Sequence, residues 1–409
     1  MLARILLTNG WREDGAQRMA EQPAIASPES ISEKRPVPLN ELALFFFRLG
    51  TTAFGGPAAH IAIMEDELVR RRRWLSREKF LDLLGASNLI PGPSSSEVAI
   101  HIGYLCAGWR GLLIAGICFI LPAALMVACI GWLYVRFGSL PAAAGILYGI
   151  KPVVIGVVLQ ALWSLGRTAI KTTFLGLVAV LALVLSVLGL HPLLLLLLAG
   201  GVACVYALRT SRVSLSVPPF LTIGGGILAT TASFSLVSLF LVFLKLGATV
   251  FGSGYVLLAF LRADLVTHRG WLTDAQLVDA VAVGQVTPGP VFTTATFIGF
   301  ILGGIRGAVI STVGIFLPAF LLVAVSGPLV TRIRKSKPAG AFLDGVNVAS
   351  LALMAAVTWE LGRTSLIDVL TAILAVVSLI ALLRFRVNSA WLVLIGAVIG
   401  LITSALHLR

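Results

Sequence analysis

The sequence predicts an all-α polytopic membrane protein of two homologous tandem repeats, with about 10–12 membrane segments and helices broken at Gly/Pro motifs. The first observation is composition: 58% of the residues are hydrophobic and 12% are charged, whereas soluble domains carry about 25% charged residues. The second is a set of apolar segments long enough to cross a bilayer. The third is an internal duplication.

The duplication is visible as a direct alignment of the chain with itself. A shift of 197 positions places residues 49–93 on residues 246–290 without a gap, and 15 of the 45 aligned positions are identical. After one deleted residue the match continues at an offset of 196, where Leu121-Pro122 falls on Leu317-Pro318. Long-period duplication is typical of transporters, whose substrate site lies between the repeats.

The duplication divides the chain into four parts. Residues 1–38 are polar and lack an apolar run long enough for a signal peptide, so they are expected to form a disordered tail. Residues 39–208 and 234–409 form the two repeats, and residues 209–233 form the linker between them. Each repeat supplies about six apolar segments of membrane-spanning length.

We attribute the net charge of +13 to basic loops that orient the chain in the membrane, rather than to nucleic acid binding. Basic residues lie in short loops between apolar segments, as the positive-inside bias predicts, and residues 70–73 are four consecutive arginines expected in the cytoplasm. The basic loop of residues 332–337 suits parallel repeats with six crossings each, whereas an odd number of crossings would invert the repeats. The residues alone leave both arrangements open.

Two cations lie within apolar sequence at equivalent places in the repeats, namely Arg48 and Lys245. A charge near the bilayer centre costs at least about 2.5–3.5 kcal/mol, so such residues are functional candidates. The alternative is that both side chains extend to the membrane surface. Positive charge in both copies favours an anion site.

The second candidate feature is a pair of Pro-Gly-Pro motifs that interrupt apolar sequence. Proline suits a first helical turn, and the free amides of a helix start carry partial positive charge. Two such starts are expected to bind an oxyanion. The motif residues are Pro91, Gly92 and Pro93 in the first repeat and Pro288, Gly289 and Pro290 in the second, and the expected hydroxyl donors are Ser94, Ser95, Ser96, Thr293 and Thr294.

Glu97 has two interpretations. Ser94 and Glu97 have the spacing of a helix capping box. Alternatively, Glu97 takes up a proton during coupling, because an ionised carboxylate would repel an anion beside it.

Further breaks and amides accompany these motifs. Gly55 and Gly56 in the first repeat, and Gly252 and Ser253 in the second, are expected to break the first apolar segment of each repeat and to allow close backbone approach. Asn88 and Gln285 align three residues before the proline motifs. Their amides are substrate donors or, equally, helix–helix hydrogen bonds.

The sequence offers no sign of a cofactor, a metal site or a nucleotide-binding domain. The five histidines and four cysteines show no metal-ligand spacing, and the glycine-rich runs lack the Lys-Ser/Thr of a phosphate loop. We therefore expect neither an ATP-driven pump nor an enzyme.

At these motifs the chain resembles the long, two-half form of the chromate ion transporter family. The resemblance covers roughly residues 40–405 and rests on residues 54–57, 64–67, 91–93, 101–104 and 108–111 of the first half and on residues 251–254, 287–299 and 317–318 of the second. It implies a plasma-membrane carrier that exports chromate, is driven by an ion gradient, and confers chromate resistance. It also implies halves of opposite orientation, which are inverted repeats.

The expected function is secondary active transport of chromate, a tetrahedral divalent oxyanion, out through the inner (plasma) membrane. A sulfate or other oxyanion transporter, or an anion channel of the same architecture, is the alternative, because sulfate shares the shape and charge of chromate. An intramembrane enzyme is a more distant rival. The expected partners are the anion and the lipid bilayer but no nucleic acid, and a homodimer is left open.

Overall fold

The computed structural model describes residues 37–54, 56–87, 90–138, 140–210, 234–250, 256–326, 337–385 and 387–407. All regular elements in these ranges are helical. The predicted tail up to residue 36, most of the linker and most of the basic loop at residues 332–337 lie outside the described residues.

The two repeats have the same order of helices. The first contains α1 (Leu39–Thr52), α2 (Gly56–Glu65), α3 (Arg77–Ser87), α4 (Ser94–Phe137), α5 (Pro141–Ala169), α6 (Thr173–Val187) and α7 (Pro192–Thr210). The second contains α8 (Leu236–Thr249), α9 (Leu257–Leu261), α10 (Asp274–Val286), α11 (Thr294–Ser326), α12 (Lys337–Ser365), α13 (Val369–Phe385) and α14 (Ser389–His407). A π-helical turn follows α2 (Asp66–Arg71) and α9 (Arg262–His268), and a 3-10 turn (Val291–Thr293) precedes α11.

Several described helices have the length and composition of membrane spans. Six are long and apolar enough, and three shorter apolar helices accompany them. The six are Ser94–Phe137, Ala143–Ala169, Pro192–Arg209, Val291–Val325, Pro338–Ser365 and Ser389–Leu406. The first helix of each repeat has only 14 residues, or about 21 Å, so neither crosses a core of about 30 Å unaided. The predicted polytopic fold with broken helices is confirmed.

The longest helix of each repeat contains a second kind of break. Ala107 has φ −148° and ψ 25°, and Gly108 has φ 60° and ψ −146°. Gly303 and Gly304 repeat this conformation, with φ −144°, ψ 21° and φ 60°, ψ −150°. The duplication is therefore visible in the backbone angles as well as in the sequence.

These breaks fold each long helix back on itself. A Cβ on Gly103 would lie 2.3 Å from the carbonyl oxygen of Gly111 and 2.6 Å from the Cβ of Ala115. In the second repeat the hydroxyls of Thr296 and Thr312 form a hydrogen bond of 2.7 Å across the same turn. Each proline motif is thus followed by a short half-helix that returns against a longer one.

The helices pack as two bundles. The central bundle consists of α1, α4, α8 and α11. In it, α1 packs on α4, its counterpart α8 packs on α11, and α4 and α11 pack on each other. The outer bundle consists of α5–α7 and α12–α14. It is cross-paired between repeats, since α5 packs on α13 and α14 and α12 packs on α6 and α7.

Equivalent helices of the two repeats run in opposite directions. A Cβ on Gly116 of α4 would lie 2.3 Å from Phe320 of α11, whereas one on Gly131 would lie 3.0 Å from Phe300. Phe300 lies in the returning half-helix, where its neighbour Gly299 packs beside Gly307 and Ser311. The contacted level on the long part of α11 therefore falls from Phe320 towards Ser311 as the position on α4 rises, so these long parts are antiparallel. Antiparallel packing of equivalent helices is the geometry of inverted repeats.

The hairpin provides a test of this packing. We expect Gly111→Ala to destabilise the protein by about 1–3 kcal/mol, because its Cβ would lie 2.1 Å from the carbonyl oxygen of Gly103. Gly201→Ala is the matched control, since a Cβ there meets nothing within 4 Å. Thermal unfolding of the purified protein in detergent measures both variants, and equal melting temperatures would contradict the hairpin.

Candidate functional site

The two repeats meet through a reciprocal pair of backbone hydrogen bonds. The amide of Gly92 donates to the carbonyl of Val250 at 2.8 Å, and the amide of Gly289 donates to the carbonyl of Ala53 at 3.0 Å. Ala53 and Val250 are the residues that follow α1 and α8. Each proline motif therefore fills the helix break of the other repeat, and we call this region the crossing.

Glycine is required at both central positions of the crossing. Gly92 has φ +143° and Gly289 has φ +91°, a region that side chains disfavour. A Cβ on Gly92 would lie 2.3 Å from Oε1 of Glu97, and one on Gly289 would lie 2.7 Å from the Cβ of Ala123. The motifs thus combine a special backbone angle with close approach of neighbouring groups.

Two helices start at the crossing, as the motifs predict. Pro93 is the N-cap of α4, while Pro290 precedes the 3-10 turn and α11. Ser94, Ser95 and Ser96 are buried in the first turn of α4. The starts of both helices therefore lie inside the protein, where their amides are shielded from bulk water.

Glu97 is buried beside the first motif. Its side chain is 0% exposed, and both carboxylate oxygens lack a hydrogen-bond partner among the described residues. No side chain caps α4, so the capping-box interpretation is wrong. A carboxyl group that is buried without a partner is costly when ionised, which favours a role in proton uptake.

The threonines of the second start are already occupied. The hydroxyl of Thr293 donates to the carbonyl of Pro290 at 2.7 Å, and that of Thr294 donates to the carbonyl of Val291 at 2.8 Å. They do not have the free hydroxyl donors that the sequence suggests, because a hydroxyl carries one proton. Of the three serines of the first start, Ser96 has a hydroxyl without a hydrogen-bond partner among the described residues.

Gln285 lies next to the second start. It shares a small cavity of about 10 Å³ with Thr294, and its Nε2 has no partner among the described residues. Its amide is therefore available at the crossing. The other predicted residues Gly55, Asn88, Gly252 and Ser253 lie outside the described residues, while Gly56 begins α2 with φ +74°.

His60 is the residue at the crossing that the sequence reasoning missed. Its Nε2 lies 3.1 Å from the carbonyl of Ala53, which Gly289 also contacts, and its Nδ1 lies 3.4 Å from Oγ of Ser95. His60 is 0% exposed. The sequence alignment of the repeats could have identified His60, because it pairs His60 with Leu257. A polar imidazole in an apolar segment of one repeat, opposite an apolar residue in the other, indicates a specific role.

The two aligned cations have different surroundings. Arg48 lines an open groove of about 730 Å³ together with Asp66, Glu67, Arg71 and Arg72. Salt bridges of 2.9 and 2.8 Å join Arg71 to Asp66 and Arg72 to Glu67. Three arginines thus face two carboxylates in this groove, which leaves it one positive charge in excess.

Lys245 is instead neutralised by a carboxylate. Its Nζ lies 2.9 and 3.0 Å from the two oxygens of Asp264. Asp264 aligns with Glu67 of the first repeat, so the pair is the second repeat's counterpart of the groove. The structure therefore does not bring Arg48 and Lys245 together as equal ligands of one anion.

Comparison with known proteins identifies the family. The sequence profile of the family described as "Chromate transporter" matches residues 40–205 and 237–401, which are the two repeats in turn. The chain belongs to the chromate transporter family. It is therefore a multi-pass membrane protein with the duplicated architecture seen in the structure.

Members of the family named for chromate transport match nearly the whole chain. The chromate transport protein of Cupriavidus metallidurans is 32% identical over 390 residues, which cover 93% of this chain and 97% of that protein. The probable chromate transport protein of Synechococcus elongatus is 31% identical over 376 residues, covering 89% and 95%. The chromate transport protein of Pseudomonas aeruginosa is 32% identical over 356 residues, covering 82% and 85%. No solved structure matches the chain.

The role of His60 in this chromate transporter family member can be tested directly. His60→Leu copies the second repeat and removes both polar contacts of the imidazole, so we expect it to lower the free energy of unfolding by about 1–3 kcal/mol. His60→Gln retains an amide donor and is expected to lose less. Thermal unfolding in detergent measures both, and a His60→Leu variant as stable as the parent would contradict the role of His60.

Proposed function

We propose that this protein is a secondary active transporter that exports chromate across the plasma membrane and confers chromate resistance. The observation that carries the proposal is the crossing, where each buried helix start lies beside the helix break of the opposite repeat. Broken helices at the interface of inverted repeats are where transporters bind small anions. The names of relatives that span nearly the whole chain support chromate as the anion.

The proposed site combines backbone and side-chain donors. The first amides of α4 and α11 supply partial positive charge at a helix N-terminus, and Ser94, Ser95 and Ser96 add hydroxyl donors. We propose that Arg48 attracts the anion in the groove outside the crossing. Sulfate has the same shape and charge as chromate, so these donors alone do not separate the two.

The charge of the substrate supports export as the direction. Moving one elementary charge through a membrane potential changes its free energy by about 2.3 kcal/mol per 100 mV. The free energy of a divalent anion therefore falls by about 4.6 kcal/mol when it leaves a negative interior at a potential of about 100 mV. Export of chromate is therefore downhill in the electrical field, even against a concentration gradient. A membrane potential or a coupled ion gradient supplies the energy.

We assign to Glu97 the proton that accompanies the anion. Its buried carboxyl lies directly against Gly92, and an ionised carboxylate there would repel a divalent anion through a low dielectric. The anion therefore binds when Glu97 is neutral. Each chromate then moves with one proton, so the transported complex retains one negative charge and its electrical free energy falls by about 2.3 kcal/mol per 100 mV on export, half the value for the free divalent anion.

Transport assays test the proposed function. We expect everted membrane vesicles containing the protein to take up labelled chromate saturably, with sulfate as a competitor. Arg48→Ala is expected to raise the apparent KM about tenfold, because a charge-assisted contact contributes about 1.5–3 kcal/mol. Arg136→Ala, which removes an exposed arginine at the end of α4, is the matched control.

The second cation and the rival functions have their own outcomes in this assay. The neutral pair Lys245→Met with Asp264→Asn is expected to keep transport, since Lys245 is already neutralised in the structure. Flux that does not saturate would indicate a channel instead of a carrier. Absence of chromate uptake by the parent protein would overturn the proposed substrate.

Glu97 predicts a pH dependence of affinity. In the parent protein the apparent KM for chromate should fall as the pH falls, because protonation removes the repelling charge. Glu97→Gln is permanently neutral and nearly isosteric, so its KM should stay low and independent of pH. The measurement is initial uptake into proteoliposomes at a series of pH values. A Glu97→Gln variant with the parent's pH dependence would refute the assignment.

A further inference from the structure

The two repeats differ in how the segment between their helix breaks is packed. We call residues 56–87 the first arm and residues 256–286 the second arm. Both arms pack on the central bundle, the first on α4 and the second mainly on α11, but the second arm also packs on α5, α12 and α14 of the outer bundle. The burial of the two arms shows the same difference.

Equivalent residues of the arms have different exposure. All five residues of α9 are buried, and Asp279 of α10 is only 3% exposed. On α3 of the first arm, Glu78, Lys79 and Asp82 are exposed, although Asp82 is the counterpart of Asp279. Among the described helices, the second arm is thus docked on the outer bundle and the first arm is not.

A buried cluster of charged and polar groups holds the second arm in place. Asp279 lies 3.1 Å from Nζ of Lys151 on α5, and the hydroxyl of Tyr134 on α4 donates to its other oxygen at 2.9 Å. At the edge of the same interface, Arg262 lies 3.8 Å from Glu360 on α12. Asp279 therefore joins the second arm to both bundles through one carboxylate.

The first repeat cannot form an equivalent cluster. By the offset of the duplication, the counterparts of Lys151 and Glu360 are Asn347 and Ser164, neither of which carries a charge. Glu65, the counterpart of Arg262, instead lies 3.7 Å from Arg70 within its own arm. The pairs that dock the second arm, Asp279 with Lys151 and Arg262 with Glu360, therefore have no charged equivalents at Asn347 and Ser164.

The charge of Asp279 determines whether this contact is ionic. Two titratable groups on helices packed against α10 face the Asp279 carboxylate, namely Lys151 of α5 and Tyr134 of α4. Among the described residues, α11, α12 and α14 contribute no ion pair to this carboxylate. A proton on Asp279 removes the attraction to Lys151. Buried ion pairs depend strongly on both partners, because loss of one leaves the other uncompensated.

We propose that Asp279 is a proton-binding site that controls docking of the second arm, so that protonation releases α10 and the proline motif that follows it. This proposal rests on the transport function proposed above and adds a step to it. Protonation of Glu97 controls anion affinity at the crossing, and protonation of Asp279 controls the rate of movement between states. Acidification therefore favours the undocked second arm.

Docking can be measured without any transported anion. His191 of the loop before α7 and His268 of the second arm have ring centroids 5.9 Å apart, so a cysteine at each position reports docking by disulfide cross-linking. The assay uses the full chain with its four native cysteines, Cys106, Cys118, Cys129 and Cys204, replaced by serine. Thiolates react faster at high pH, so each rate is compared with that of a free cysteine control at the same pH.

Two variants and one matched control complete the experiment. Asp279→Asn fixes the neutral form, and Asp279→Asn with Lys151→Gln removes both charges so that no unpaired lysine is left to disturb folding. Asp344→Asn is the control, because Asp344 also forms an Asp–Lys pair, 2.7 Å from Lys171, but at an exposed position of the outer bundle. Its docking is expected to match that of the parent.

Acidification is expected to slow the corrected cross-linking of the parent about tenfold, which is about 1.4 kcal/mol of the docking equilibrium. Asp279→Asn should be slow at every pH, and the double variant should be independent of pH. A parent rate without pH dependence, or a double variant with the parent's pH dependence, would overturn the proposal. In proteoliposomes, Asp279→Asn should remove the pH dependence of the maximal rate while leaving that of KM.

The two proposals fail separately in these measurements. Docking that depends on pH and on Asp279 in a protein that moves no chromate would refute the proposed function and leave the proton site standing. Saturable chromate transport with docking that ignores Asp279 would refute the proton site and leave the transport function standing.

Discussion

The structure depends on satisfying backbone groups where its helices are broken inside the membrane. An unpaired amide or carbonyl in hydrocarbon costs several kcal/mol, so a break survives only when protein or water fills it. The hydrogen bonds from Gly92 to Val250 and from Gly289 to Ala53 meet this requirement with the motifs of the opposite repeat. The break in one repeat is therefore stabilised by the other repeat.

The duplication provides a symmetric frame, and a few substitutions make its two halves chemically different. His60 contacts the carbonyl of Ala53, whereas its counterpart Leu257 has no polar atom in its side chain. Glu97 is a carboxylic acid where the second repeat has Thr294. A transporter with two identical halves would treat both membrane faces alike. These replacements give the two halves different chemistry at the same position.

Sequence reasoning located the breaks but not their surroundings. Proline and glycine break helices at their own positions in the sequence. The motifs at Gly92 and Gly289 and the short helices α1 and α8 could therefore be predicted. The close return of the half-helix before Gly108 against Gly111 and Ala115 could not, because small residues in an apolar run do not specify what they pack against. The pairing of Lys245 with Asp264 was also missed, since it depends on how a π-helical turn places residues 19 positions apart. The sequence also does not show which helices of the outer bundle pack together. A small residue such as Gly149 indicates close packing of its helix but not the identity of the partner helix.

The cross-paired outer bundle has a consequence for how the chain is made. Gly149 of α5 packs against Gly396 of α14, with a Cβ at either position within 2.6 Å of the other's carbonyl oxygen. The partner of α5 therefore leaves the ribosome 247 residues after α5 itself, as the spacing of Gly149 and Gly396 shows. Until then, the glycine face of α5 lacks its partner, and until the second proline motif is made the carbonyl of Ala53 lacks the amide of Gly289. Biogenesis thus passes through a stage in which an inserted first repeat is held open, and a nascent chain that stops before α14 gives any quality-control protease an unassembled α5 to recognise.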